Sequence, residues 1–386
     1  MAEPLFWTAL ASLIYVYAAF PALVVLLGIL RPRRVRQQPI TPRVSLIIAA
    51  YNEERNIATR LENALALDYP ANRLEILVAS DGSEDRTAEI VMRYERSGVH
   101  LLQLPRRGKI HALNAAAAAA RGEILVLSDA NSLFDRDALS HLVRNFADPE
   151  VGGVAGNTSY VLRPDCESSG QGESLYLRYD TWLKQMESLT GSVVSAQGGM
   201  YAIRREFYPS LCEAGVTDDF AISTAVVEQG RRLVFEREAR SSEMALPRAS
   251  SEFRRRVRIV TRGLRGLLLR RQLLNPVRYG FYSVVLISHK VMRRLLPLSL
   301  LLLLPLALYL IPQGQIYEVA ACSQLLFYLL AGIGYVLRRS AAGHHKLFYV
   351  PFFYCMSNAA ALVALWNLIT GQTIELWRPQ RHEAGI

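Results

Sequence analysis

Residues 5–30 form 26 consecutive positions without a charge, most of them apolar. As a helix rising 1.5 Å per residue, such a stretch is about 39 Å long, more than the ~30 Å of bilayer hydrocarbon. A cleaved leader would begin with basic residues and carry a shorter apolar run. Here Glu3 comes first and the arginines come after the run. The stretch therefore reads as a membrane anchor, and Arg31, Arg33, Arg34 and Arg36 directly behind it place the next part of the chain in the cytoplasm. Charge supports this: only 20% of the residues are charged, against roughly 25% in soluble domains.

Three more apolar stretches, 295–312, 319–337 and 347–370, lie near the C-terminus. His289, Lys290, Arg293 and Arg294 form the cytoplasmic flank of the first, and the basic loop 338–346 returns to that side. Four spans would put the C-terminus outside, whereas Arg378 and Arg381 favour the inside, and Pro351 offers a break that would make the last segment re-entrant. The expected organisation is an anchor (1–36), a cytoplasmic domain (40–250), basic interfacial helices (251–294), C-terminal spans (295–370) and a tail (371–386). Four cysteines without CxxC spacing and seven histidines without HExxH spacing argue against a disulfide scaffold and a zinc protease.

Between the apolar ends, strand-like runs 44–49, 74–79, 99–104 and 123–127 alternate with helix-like stretches 53–67, 85–94 and 111–121, the last with six consecutive alanines. That alternation predicts a parallel sheet. Polar residues fall where the strands end: Asn52 and Glu53, Asp81, and Asp129. Ligands of open parallel sheets bind outside the carboxyl ends of the strands. No GxGxxG or GxxxxGK[ST] follows a strand, which removes the dinucleotide fold and the P-loop NTPases. Asp129-Ala130-Asn131 sets a carboxylate and an amide oxygen two positions apart beyond a strand, a partial ligand set for Mg²⁺, or else an ordinary Asx-turn.

The blocks 44–54 (VSLIIAAYNEE), 80–83 (SDGS), 108–114 (GKIHALN) and 129–131 (DAN), in this order and spacing, resemble the family 2 glycosyltransferases. These are membrane-bound inverting enzymes such as cellulose, chitin, hyaluronan and poly-N-acetylglucosamine synthases. The resemblance implies an α/β GT-A domain, a Rossmann-like nucleotide-diphospho-sugar transferase fold, carrying N- and C-terminal transmembrane helices in the bacterial plasma membrane. It implies that Ala50, Tyr51, Asn52, Glu53 and Asp81 hold the uridine and ribose of a UDP-sugar, with Lys109 near the nucleotide. Asp129 would bind the diphosphate through Mg²⁺ or Mn²⁺, with Asn131 where many members have a second Asp. Residues 195–205 (SAQGGMYAIRR) resemble the family's glycine-bearing strand at the acceptor, which assigns Gln197, Gly198 and Gly199 to acceptor binding. Thr217-Asp218-Asp219 resembles its Thr-Glu-Asp, with Asp219 the expected general base and Asp218 beside it. A helix N-cap is compatible with that role, because capping fixes the carboxylate.

Nine arginines lie between 254 and 278, with Val257, Val260, Leu264, Leu267 and Leu268 at helical spacing among them. A basic amphipathic helix of this kind lies on anionic lipid, and the adjoining spans argue against nucleic acid. The family's Gln-x-x-Arg-Trp motif falls in this region, but no tryptophan occurs between Trp182 and Trp366. Arg255 and Arg258 are the expected acceptor or diphosphate contacts, and transfer of one or a few sugars stands open beside processive synthesis. The expected activity is metal-assisted inverting transfer of a hexose or N-acetylhexosamine from a UDP-sugar to a hydroxyl of a saccharide or lipid-linked acceptor. The competing readings are a polyprenyl-phosphate glycosyltransferase, a non-catalytic nucleotide-binding scaffold and, more remotely, a transporter.

Overall fold

The computed structural model describes residues 1–162, 166–209 and 215–372. Arg378 and Arg381, whose charge bears on orientation, lie outside them. In chain order the first half comprises α1 (Ala2–Leu30), β1 (Val44–Ala50), α2 (Ile57–Leu65), β2 (Leu74–Asp81), α3 (Thr87–Met92), β3 (Val99–Leu104), α4 (Lys109–Ala119), β4 (Ile124–Asp129), β5 (Leu133–Phe134) and α5 (Ala138–Val143). The second half comprises β6 (Val151–Val161), α6 (Ser169–Thr190), β7 (Tyr201–Arg204), α7 (Asp218–Glu228), β8 (Arg232–Met244), α8 (Ala249–Leu269), α9 (Phe281–Gln313), α10 (Gln315–Leu337) and α11 (Lys346–Ile369).

The eight strands form one sheet in the order β3-β2-β1-β4-β7-β6-β8-β5. β1 to β4 are parallel, as strands separated by crossover helices must be, but β7 pairs antiparallel to both β4 and β6, so the sheet is mixed rather than parallel throughout. Strand and crossover helix stop alternating after β4, and with them goes the constraint on direction. Every residue of β1 is buried, because helices cover both faces. Val44, Leu46, Ile48 and Ala50 pack on α2 and α5. Ile47 and Ala49 face the other way, into a layer with Ala112 and Ala116 of α4, Phe220 of α7, Leu264 and Leu267 of α8, and Phe20 and Val24 of α1. The second face of the sheet thus docks directly on the amphipathic and apolar helices. That is why α1, remote in sequence, is part of the same core.

Four helices, α1, α9, α10 and α11, are long and apolar enough to cross a membrane. α9 has 33 residues, about 50 Å at 1.5 Å per residue, so hydrocarbon covers only part of it. It begins at Phe281, well before the apolar stretch at 295, and takes His289, Lys290, Arg293 and Arg294 into the helix itself. π-helical turns interrupt α1 at Tyr15–Ala19 and α9 at Ile287–Met292, and the two are tied by the Tyr15 and Ser288 hydroxyls at 2.8 Å.

α11 differs from the other three. It runs without a break through Pro351 and lies along α8: Phe352, Phe353 and Met356 pack with Ala249 and Phe253, Asn367 donates to Thr261 at 3.3 Å, and Arg265 donates to the carbonyls of Gly371 and Gln372. α8 itself stays on the α/β domain at both ends, through Ala249 N–H to Glu167 (2.8 Å) and through Arg270 to Glu228. The loop before α11 also meets that domain, with Arg339 on Glu167 at 2.7 Å.

Candidate active site

The first strand ends form one group. Tyr51 lies under the Arg106 guanidinium, 3.4 Å from its ring centroid. Asn52 adopts φ +51 and accepts the Glu84 N–H at 2.9 Å, while its own N–H donates to Ser83 Oγ. Glu53 is buried, accepts from Asn56 Nδ2 at 2.6 Å and donates its backbone N–H to Thr87 Oγ1 at 2.8 Å. Asp81, at the end of β2, is buried and accepts the N–H groups of Arg107 (2.8 Å) and Gly108 (3.0 Å) together with the Arg106 guanidinium. Asp81 therefore fixes the loop that starts α4, and the next residue is Lys109.

Lys109 links this group to a second. Its ammonium bridges Asp129 Oδ1 at 2.6 Å and Asp218 Oδ2 at 2.7 Å. A lysine in the first turn of a helix opposes the helix dipole. Burial also disfavours its charge, but the two carboxylates overcome both and raise its proton affinity. Asp218 and Asp219 open α7, where the dipole favours acids, and the Phe220 N–H donates to Asp219 Oδ1 at 2.7 Å. The neighbouring acids then diverge. Burial would raise Asp218, but Lys109 and Arg262 hold it below the usual carboxylate range. Burial and then the Asp218 charge push Asp219 up to about 6, against the pull of Lys109. A pair of acids driven apart in this way assigns roles, one permanently charged and one able to take a proton near neutrality.

Gly198 shows how closely the groups converge. A β-carbon on it would lie 3.3 Å from Asp129 Oδ2 and 3.8 Å from Asp219 Oδ2. The two carboxylates, 90 positions apart in the chain, thus flank one backbone atom where any other residue would intrude. Residues 195–197 are irregular and Gly198-Gly199 form a turn that leads into β7, rather than a strand. Gly199 is more confined still: a β-carbon there would lie 2.7 Å from Thr158 Oγ1 and 2.9 Å from Glu243 Oε1.

A cavity of about 1100 Å³ opens from these carboxylates toward α1, α8, α9 and α11. Lys109, Asp129, Gln197, Gly198, Gly199, Asp218, Asp219, Arg255 and Arg258 all line it, whereas Ala50, Tyr51, Asn52, Glu53 and Asp81 do not. The structure separates the sequence-derived set into two adjoining regions with Lys109 at their boundary. Arg255 is engaged by Glu173 (2.8 Å), Glu252 (2.9 Å) and Tyr160, so much of its charge is already matched. Asn131 lies beyond Asp129 outside the cavity lining, and its amide nitrogen is buried without a hydrogen-bond partner.

Several lining residues escape sequence reasoning. His289 of α9 is clamped between Glu187 (2.6 Å) and Asp180 (3.1 Å) of α6, and Lys184 joins Asp180 at 2.8 Å. Arg262 donates to the Val216 carbonyl at 2.6 Å and so steadies the approach to Thr217. The available signal was a polar rather than apolar helical period: Glu173, Asp180, Lys184 and Glu187 recur on one face of α6 and are all buried.

The site thus joins a mixed GT-A-type sheet, acidic strand ends and a split acid pair at a helix start. Residues 45–211 match the model of Glycosyl transferase family 2, and the chain carries a domain of that family. It is 28% identical over 203 residues to a poly-beta-1,6-N-acetyl-D-glucosamine synthase of Staphylococcus aureus, a match covering 50% of this chain and 48% of that protein. The enzyme of the same name from Staphylococcus epidermidis is 28% identical over 190 residues, 47% of this chain and 44% of that one. The chain thus matches about half the length of these relatives. Among solved structures, a mannosyltransferase from Pyrobaculum calidifontis, in complex with GDP-Man and Mn²⁺, superposes over 95% of this chain and 99% of that one, with TM-score 0.69 and 24% identity. That likeness establishes the shared fold.

Proposed function

We propose that the chain is an inverting glycosyltransferase that moves a hexose or N-acetylhexosamine from a nucleotide-diphosphate sugar, UDP-linked, to a hydroxyl of a saccharide or lipid-linked acceptor at the cytoplasmic face of the membrane. The observation that carries this reading is the meeting of Asp129, Asp219 and Gly198 beside Lys109. The acceptor hydroxyl lies in the cavity against Gly198. Its oxygen attacks the anomeric carbon as the bond from that carbon to the diphosphate breaks, and its proton passes to Asp219. A base with proton affinity near 6 is ionised at cytoplasmic pH yet strong enough to take the proton, a contribution of ~10² to 10⁴ in rate. Asp218 stays charged and holds Lys109 in place. Tyr51 and Asp81 receive the base of the donor, on the far side of Lys109 from the acceptor.

The donor set fits a divalent cation bound mainly by substrate and water. Asp129 offers Oδ2, the oxygen not bonded to Lys109, and Asn131 would contribute only through its amide oxygen, since its buried unpartnered atom is the amide nitrogen, while no cluster of three or more His, Cys, Asp or Glu exists among the described residues. Asp129, with Asn131, would hold Mg²⁺ or Mn²⁺, which when bound neutralises charge on the departing diphosphate.

The test is nucleotide release and product sizing by the full chain in nanodiscs with a panel of UDP- and GDP-sugars, for wild type, Asp219→Asn and Asp129→Ala. Transfer that collapses in both variants supports the reading. Transfer that survives in Asp219→Asn points to phosphate as nucleophile, since phosphate needs no strong base. No turnover of any donor leaves only nucleotide binding.

A further inference from the structure

We infer that the acceptor carries a phosphate on an apolar chain, and that Lys290 and Arg294 of α9 are the partners of that phosphate. The inference rests on the proposed sugar transfer and narrows its acceptor. Most cations around the cavity are accounted for. Arg255 and Arg256 share Glu173 and Glu252, Lys184 has Asp180, and Arg293 stacks on Tyr176 with its Nη1 3.4 Å from His289. Lys290 and Arg294 are different: among the described residues no carboxylate pairs with either, and Arg294 Nη1 is buried without a hydrogen-bond partner. Both are partly buried and line the cavity, one helical turn apart. Gly263 of α8 makes the room, since a β-carbon there would overlap the Arg294 guanidinium.

A partly buried cation with no carboxylate within ion-pair distance is costly, and an anion bound in the cavity would complete it. Arginine and lysine side by side on a rigid helix suit phosphate. Their placement favours the acceptor over the donor. Lys290 and Arg294 line the same cavity as Asp219, whereas Tyr51 and Asp81 do not, so the pair lies on the side of the base rather than of the nucleobase. From there the cavity wall turns apolar and aromatic, with Tyr17 of α1, Ile259 of α8 and Phe353, Tyr354 and Ala361 of α11. A π-helical turn contributes Tyr17 on one side and Lys290 on the other, and such turns concentrate at functional sites. The hydroxyl to be glycosylated reaches Asp219, the phosphate sits on Lys290 and Arg294, and the chain leaves between α1 and α11.

The test uses the full chain in phosphatidylcholine nanodiscs, with radiolabelled farnesyl phosphate as probe, farnesol as uncharged control, and inorganic phosphate and phosphatidylglycerol as competitors. Farnesyl phosphate should bind at least tenfold more tightly than farnesol. The double variant K290Q/R294Q should remove that preference while leaving farnesol, UDP and GDP binding unchanged. Gly263→Ala, which displaces the guanidinium without removing its charge, should weaken farnesyl phosphate severalfold, and it carries the test should the double variant not fold. Equal binding of farnesyl phosphate and farnesol, or binding indifferent to both variants, overturns the inference. Equal competition by phosphatidylglycerol would mark a bulk-lipid surface, equally tight inorganic phosphate a free-anion site, and a parallel loss of UDP or GDP affinity a donor site. Each of those also overturns it. Phosphate selectivity absent while Asp219-dependent sugar transfer persists sinks this acceptor class alone. No sugar turnover with farnesyl phosphate still bound sinks the transfer reading instead.

Discussion

Replacing Asp219 by Asn should abolish catalysis and stabilise the protein at the same time. In the folded chain burial and the Asp218 charge lift Asp219 from 3.8 to about 6, which corresponds to about 3 kcal/mol at most. Because the folded form binds the proton more tightly, its contribution to stability is intact below pH 4 and is lost as pH rises through 6. At pH 7.5 wild type therefore bears nearly the whole cost of a buried charge beside another acid. Asparagine keeps the oxygen that accepts the Phe220 N–H and carries no charge, so the variant should unfold several degrees higher at pH 7.5. The advantage should fall to about half at pH 5 and vanish only below pH 4, where the carboxyl is protonated in the unfolded chain as well. Thermal unfolding of both proteins in nanodiscs across pH 5 to 8 reads this directly, alongside a loss of transfer of ~10² or more. A variant that is less stable at pH 7.5, or whose gain is the same at pH 5, would refute the reasoning, since either result means that the Asp219 charge is already compensated in the fold.

The same proton affinity should appear in kinetics: kcat/KM falls about tenfold per pH unit below 6, and a flat profile down to pH 5 would remove Asp219 as the base. Lys109→Met leaves Asp129 and Asp218 facing each other without their shared cation, and should cost about 3–5 kcal/mol in unfolding free energy as well as activity. Gly198→Ala places a methyl between Asp129 and Asp219, so kcat should fall tenfold or more with little change in unfolding temperature. Chelation with EDTA should stop sugar transfer and added Mn²⁺ or Mg²⁺ restore it, measured as nucleotide release.

Much of the fold was legible in the residues. The strands β1 to β4 are short apolar runs that end in Asn52, Asp81 and Asp129, and buried parallel strands can hardly be written otherwise. β8 was not legible, because Glu236, Arg237, Glu238 and Arg240 read as a solvated loop, although every second or third side chain turns inward. α6 was hidden for the opposite reason: its buried stripe is made of charges that only make sense once His289, Arg255 and Arg256 arrive from later helices. Nor could the chain alone show that Asp81 faces the loop before Lys109 rather than the cavity of Asp219. That depends on how 106–108 folds over the strand end.

The position of α11 has a consequence for how the polypeptide is threaded. A helix that keeps both ends beside the α/β domain would make no net passage, so that three crossings, an odd number, are expected rather than four. The tail would then emerge in the same compartment as the sugar-transfer chemistry and opposite to the first residue. Reporter fusions at the two termini should accordingly give opposite signals, which would also agree with the basic residues at 378 and 381.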